Sequence, residues 1–222
     1  MSKVEKILCV FDLDGTIIDS KEAILSSALR TLNEFNVSKV DERDILGSIG
    51  LPISRAFERY LSGDALESAV KSFRSDLAEN GSSKTYLYAD TISTLQELED
   101  MGVTLALATN KHAPLAREVL KQQGIGNYFS EVQGADSSPA KPSPEMLLKL
   151  KLKFPDMSLY VMVGDRGEDM VAAKSAGYFG YFIDHGTIPS DSLKPDPNVR
   201  HISTLGEIAF CLHEDWKKHG GE

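Results

Sequence analysis

The sequence predicts an α/β protein: a parallel sheet whose first strand is followed by an inserted bundle of helices. Three observations carry this. Short apolar runs rich in β-branched residues alternate with helical patterns along most of the chain. The runs are nearly continuous in apolar residues, as in strands buried on both faces of a parallel sheet. Residues 20 to about 82 hold no convincing strand.

The elements follow in order. "ILCVF" (7–11) is the first strand, and Cys9 within it reads as core. After it, Ile24, Ala28, Leu32 and Phe35 recur at about one helical turn. Beyond "DERDILGSIG", Pro52 is expected to start a helix carrying Ile53, Phe57 and Leu61. "DALESAVKSFRSDLAENG" makes a third, with Leu66, Val70, Phe73 and Leu77 inward and Gly81 ending it. "TYLYAD" (85–90) is the return linker. A helix opening near Asp90 places Ile92, Leu95, Leu98 and Met101 on one face and ends at Gly102. "VTLALAT" (103–109) is a strand, followed by a helix from about Pro114 to Gly124. "EVQG" (131–134) is a weaker strand candidate. Ser143 as cap and Pro144 as first residue open a helix that stops before Pro155. "YVMVGD" (160–165), a helix from Glu168 to Gly177, and "YFGYFID" (178–184) complete the alternation. "GTIPSDSLKPDPNV" reads as a polar loop, "LGEIAFCLHEDWKKH" with Trp216 as a helix on the sheet, and "HGGE" as a frayed tail. These boundaries give a core domain, 1–16 and 85–222, and a helical domain, 17–84. The insertion leaves from the C-terminal end of the first strand, the edge where open α/β sheets bind ligands.

Composition narrows the function. Lys plus Arg is 24 against 33 for Asp plus Glu, a net charge of −9, so the basic footprint of a nucleic-acid binder is missing. An anionic substrate would need local positive charge, which directs attention to individual lysines and arginines. Two cysteines, Cys9 and Cys211, do not make a disulfide framework and suggest a reducing compartment. "MSKVEK" has no apolar signal region and no stretch is long enough to span a bilayer, so a cytoplasmic location without membrane partners is expected.

Four motifs sit at strand ends. Asp12 and Asp14 follow the first strand two residues apart, on one side of it, with Gly15 permitting a turn. Two carboxylates this close repel, which raises a pKa or demands a cation, and Mg²⁺ suits them; a plain strand-to-turn cap is the alternative. Thr109 and Asn110 end the second strand, offering a hydroxyl and an amide to a phosphate oxygen, or else capping a helix. In "SSPAKPSPE", Lys141 presents an ammonium toward the same edge, or is a solvated loop residue. In "VGDRGEDM", Gly164 allows close backbone approach and Asp165 adds a third acid. Asp169 either joins it or favours the dipole of the following helix.

The ordered pattern D-x-D-G-T, T-N, K and G-D-x-x-x-D resembles the haloacid dehalogenase superfamily, over nearly the whole chain. "FDLDGTIIDS" and "GDRGEDMVAAKSAG" are closest to its phosphoglycolate-phosphatase-like branch, and the inserted bundle resembles its C1 cap. The resemblance implies a Rossmann-like parallel core with an all-helical cap, and a Mg²⁺-dependent phosphatase for a small phosphorylated metabolite. On that reading Asp12 is the nucleophile that forms an aspartyl-phosphate. Asp14 is the general acid and then the base. Lys141 holds Asp12 and stabilises the transferring phosphoryl group. Thr109 and the Asn110 amide bind phosphate oxygens. Asp12, the Asp14 carbonyl and Asp165 ligate Mg²⁺, with Asp169 close by. The dehalogenases of the superfamily lack an acid at the position of Asp14, so its presence argues for phosphoryl transfer. Ala140 departs from the usual glycine before the lysine.

"GSIGLPISRAF" resembles the substrate-specificity loop of such caps, with Gly47, Gly50 and Leu51 in the turn and Arg55 as a charge for a substrate carboxylate, or a solvent-facing residue. Lys111 and His112, just after Asn110, either face the entrance or, for His112, serve as a surface or capping residue. Other readings of the scaffold are a sugar phosphomutase, a pyrophosphatase or 5′-nucleotidase, and a non-catalytic binding protein. A phosphonate-cleaving enzyme needs a Schiff-base lysine in the cap, and Lys39, Lys71 and Lys84 lack a context for that role. The oligomeric state is open between monomer and homodimer.

Overall fold

The computed structural model describes residues 6–185 and 196–218. The tail "HGGE" and most of the polar loop starting at Gly186 lie outside them. The chain begins with β1 (Ile7–Phe11) and the two-residue β2 (Ile18–Asp19). Four helices follow: α1 (Lys21–Glu34), α2 (Glu42–Leu46), α3 (Ser54–Phe57) and α4 (Gly63–Asn80). After β3 (Tyr86–Leu87) come α5 (Thr91–Asp100), β4 (Thr104–Thr109), α6 (Ala113–Gln122), β5 (Glu131–Gly134) and α7 (Glu145–Lys153). β6 (Leu159–Gly164), α8 (Gly167–Ala176), β7 (Phe179–Ile183), β8 (Val199–Ile202) and α9 (Ile208–Lys218) complete the described chain.

Six strands form a parallel sheet in the order β5-β4-β1-β6-β7-β8. β1 lies near its centre and every residue of it is buried, which is why the run is apolar throughout. Its side chains alternate between two cores. Cys9 and Phe11 pack with Leu95 and Leu98 of α5, Leu120 of α6 and Leu212 of α9. Leu8 and Val10 pack with Met146 and Leu150 of α7 and Ala172 of α8. The helical insertion has its own core, in which Ile24, Ala28 and Leu32 of α1 meet Phe57 and the α4 residues Phe73 and Leu77. Phe57 and Phe73 meet edge to face at 5.8 Å. β2 and β3 pair antiparallel where the chain leaves the sheet and returns to it.

Several local expectations need correction. Ile92 is 53% exposed, because α5 begins at Thr91 and buries Thr91 and Thr94 on its first turn. There Thr91 Oγ1 donates to the Ile17 carbonyl at 2.9 Å. α7 starts at Glu145, after both Ser143 and Pro144. "TYLYAD" holds β3 rather than serving as a plain linker. α2 and β8 are additional elements: Asp41 caps α2 by accepting from Arg43 N at 3.0 Å, and β8 is an edge strand beside β7. Cys9 and Cys211 are free and buried. No helix among the described residues is long and apolar enough to cross a membrane.

Candidate active site

The register of β1 against β4 and β6 brings three loops to one sheet edge. Phe11 stands beside Leu107 and Val163. The next residue continues the ladder, Asp12 N donating to Val163 O at 2.9 Å. Asp12 is only 2% exposed. Gly15 then turns the chain with φ +88°, and a Cβ there would collide with the Asp165 carboxylate. A left-handed backbone and a close approach therefore both require glycine at this position. Thr16 Oγ1 donates to Asp165 Oδ1 at 2.8 Å and fixes that carboxylate.

Lys141, 3% exposed, is the hub. Its Nζ lies 2.8 Å from Asp12 Oδ1, 2.6 Å from Asp169 Oδ1 and 2.7 Å from the Ala108 carbonyl, to which it donates. Burial works against the ammonium, but Asp12 and Asp169 outweigh it and raise its pKa. The acid pKa values also rise, which for a carboxyl group favours the neutral form. Burial, with Asp169 and Asp14 adding to it against the pull of Lys141, pushes Asp12 up to about 6. Burial and then Asp12 and Asp169 push Asp165 up to about 8.

The donor set fits a divalent metal ion. Asp12, Asp165 and Asp169 each offer an oxygen, all within 4.8 Å of one another. Asp12 Oδ1 lies near Lys141 but off the line of a hydrogen bond, and has no other partner. Four buried carboxylates, Asp12, Asp14, Asp165 and Asp169, face the ammoniums of Lys141 and Lys111. With all four ionised the shortfall is two positive charges, which a hard, oxygen-seeking dication such as Mg²⁺ would supply. Asp169 stands inside this cluster as well as on Lys141.

Asp14 has partners that the sequence pattern does not show. Ser20 Oγ donates to its Oδ1 at 2.6 Å, and Lys111 Nζ lies 2.6 Å from its Oδ2. Lys111 thus turns inward onto an acid. Ser20 reaches Asp14 only because β2 folds the chain back, a contact without a sequence signal.

Thr109 is buried and its Oγ1 accepts from Lys111 N at 3.2 Å. The Asn110 carboxamide is engaged as a brace: Nδ2 donates to the Gly50 and Lys141 carbonyls at 2.9 and 3.3 Å, and Oδ1 accepts from Lys141 N at 2.7 Å. The main-chain N–H of Asn110 takes part in none of these bonds.

A cavity of about 240 Å³ lies between cap and core. Asp14, Thr109 and Lys111 line its core side, and Val70, Phe73 and Arg74 of α4 its cap side. Gly50 and Leu51 also line it. Gly47 and Arg55 do not: they border a shallow hollow elsewhere on the cap, with Arg43 and Arg59. The phase of the short α3 explains this, since Ala56 and Phe57 turn inward and leave Arg55 exposed. Arg74 is the cap cation that faces the cavity. His112 precedes α6 there, and burial together with the Arg74 charge lowers its pKa.

Comparison with known proteins agrees with this geometry. Residues 9–180 match the family model described as haloacid dehalogenase-like hydrolase. The chain is 31% identical over 216 residues to the probable phosphatase IndB of Dickeya dadantii, covering 94% of each. It is 35% identical over 224 residues to a phosphoglycolate phosphatase of Vibrio parahaemolyticus, covering 94% of this chain and 98% of that one. A crystal structure of a predicted phosphoglycolate phosphatase from Haemophilus somnus, 28% identical, matches with a TM-score of 0.78 over 92% of this chain and 96% of that one.

Proposed function

The chain belongs to the haloacid dehalogenase-like hydrolase family and is a phosphatase; from that premise we propose that it hydrolyses a small, phosphoglycolate-like phosphomonoester, with Mg²⁺, through a phosphoryl group carried on Asp12. The observation that carries this reading is Lys141 Nζ bridging Asp12 and Asp169 beside the cavity into which Asp14 faces.

Asp12 and Asp165, with Asp169 beside them and the Asp14 carbonyl, would hold Mg²⁺, which supplies positive charge where an anionic nucleophile must meet an anionic phosphate. Asp12 attacks phosphorus, its bond to the ester oxygen breaks, and Asp14, which must enter this step protonated, gives that oxygen its proton. Asp14 then takes a proton from the water that cleaves the acyl phosphate, which returns both acids to their starting state. Lys141 holds Asp12 on line and compensates the charge on the transferring oxygens. The Thr109 hydroxyl and the Asn110 main-chain amide are the uncharged phosphate donors.

The partner is a small phosphorylated metabolite. Phosphoglycolate is favoured because relatives of similar length carry that name and because Arg74 gives the cavity a cation for a second anionic group. Phosphate release from a panel of phosphomonoesters with Mg²⁺ tests the reading, with Asp12→Asn as control. Activity against phosphoglycolate that disappears in the variant is the expected result. No release from any ester, or an isomerised sugar phosphate in place of free phosphate, would overturn it.

A further inference from the structure

Two loops of the core hold one turn of the cap. Arg166, between Asp165 and Asp169, donates from Nη1 to the Ile49 carbonyl at 2.7 Å. Asn110, directly after Thr109, donates from Nδ2 to the next carbonyl, that of Gly50, at 2.9 Å. Gly50 has φ +84°, and a Cβ on it would run into Arg166 Cδ. The turn therefore needs a left-handed backbone and a missing side chain at the same residue.

Each core residue is also tied to the catalytic centre. Asn110 Oδ1 accepts from the Lys141 main-chain N–H at 2.7 Å. The Arg166 main-chain N–H donates to Asp169 Oδ2 at 3.1 Å, and Asp169 Oδ1 is 2.6 Å from Lys141 Nζ. The cap turn is thus keyed to the loops that carry Lys141 and the acids. Arg166 suits the task because a guanidinium holds two acceptors in fixed directions: Nη1 takes Ile49 O, while Nε lies 3.4 Å from Glu168 Oε2.

We propose that Arg166 is a positioning residue that latches the cap closed, with Gly50 as the surface it grips and Asn110 as a second clasp. Closure then excludes water and sets the cap wall against the substrate only while the loops holding Lys141 and Asp169 are in place. The activity arm of the test rests on the phosphatase reading; the structural arm does not.

The test compares wild type with Arg166→Ala, Gly50→Ala and the double variant. Arg166→Ala keeps the main-chain bond to Asp169. Hydrogen exchange of the cap-turn amides, residues 48–51 and 53, is expected to speed up about tenfold in each single variant, the loss of one charge-assisted hydrogen bond. kcat/KM is expected to fall by a similar factor, mainly in kcat, while Mg²⁺ affinity by calorimetry stays at the wild-type value. The double variant should lose less than the product of the single losses, since the two residues act at one contact. Wild-type exchange or wild-type kcat/KM in Arg166→Ala, or fully multiplicative losses, would overturn the latch. If wild type itself releases no phosphate, the phosphatase reading fails, and the exchange data still decide the latch.

Discussion

Lys111 closes on Asp14 from across the site, its Nζ 2.6 Å from one carboxylate oxygen and 2.8 Å from the other. Both side chains are under a tenth exposed, at 8% and 7%. A buried pair of this kind is costly to break from one side, because the remaining charge loses its partner. Lys111→Met should therefore lower kcat/KM about 100-fold and destabilise the protein by roughly 2–4 kcal/mol. Urea unfolding and steady-state kinetics of the same variant check both. Near-wild-type values would mean that the pair has no role in holding Asp14.

Asp12→Asn should separate activity from stability. If Asp12 carries the phosphoryl group as proposed, the amide removes the nucleophile and turnover should vanish. It also removes one of four clustered carboxylates, while Lys141 keeps Asp169 and the Ala108 carbonyl. At pH 8 with EDTA the variant should be more stable than wild type by about 1 kcal/mol, as relief of like-charge crowding at a functional site predicts. A lower urea midpoint than wild type would show that Asp12 stabilises the fold instead.

The raised acids predict how ion binding and stability depend on pH. Asp12 near 6 and Asp165 near 8 are protonated in the ion-free fold at pH values where the unfolded chain, with carboxyls near the ordinary 3.8, is ionised. The folded state then binds more protons, so ion-free stability falls as pH rises from about 4 to about 8. Mg²⁺ needs the ionised acids, so its affinity should rise over the upper part of that range, with proton release on binding. Calorimetry in buffers of different ionisation enthalpy measures the protons, and denaturation with EDTA or Mg²⁺ measures the slope. A flat ion-free stability curve would remove the basis for both.

The core strands were legible for a physical reason. β1, β4 and β6 are buried on both faces, so their sequences are apolar without interruption, and their C-terminal ends must share an edge once the sheet is parallel. That places Asp12, Asp14, Thr109, Asp165 and Asp169 in one neighbourhood, to which the loop after β5 adds Lys141. β8 was hidden because an edge strand has one wet face: Arg200, in its middle, pairs with Glu214 and Asp215. The contacts Lys111–Asp14 and Arg166–Ile49 were hidden because they cross between loops and depend on how far a side chain reaches. Whether Arg55 faces substrate or solvent is not legible in the sequence for a simpler reason. On a helix of four residues, the phase is set by which neighbours pack, here Ala56 and Phe57.

That phase leads to the last prediction. Arg55 faces a surface hollow, whereas Arg74 lines the cavity that Asp14 and Thr109 share. Partial burial draws the Arg74 pKa down, and Asp136 opposes that effect from a distance. A guanidinium in such a place favours a substrate that brings a second anionic group to the cap, as a carboxylate does. Arg74→Ala should therefore raise KM for phosphoglycolate about tenfold and leave kcat near wild type. Its effect on an ester without a second charge, such as p-nitrophenyl phosphate, should be less than about twofold. Arg55→Ala should change neither. Equal losses on both substrates would assign Arg74 to cap packing, and a selective loss in Arg55→Ala would return the substrate carboxylate to the loop.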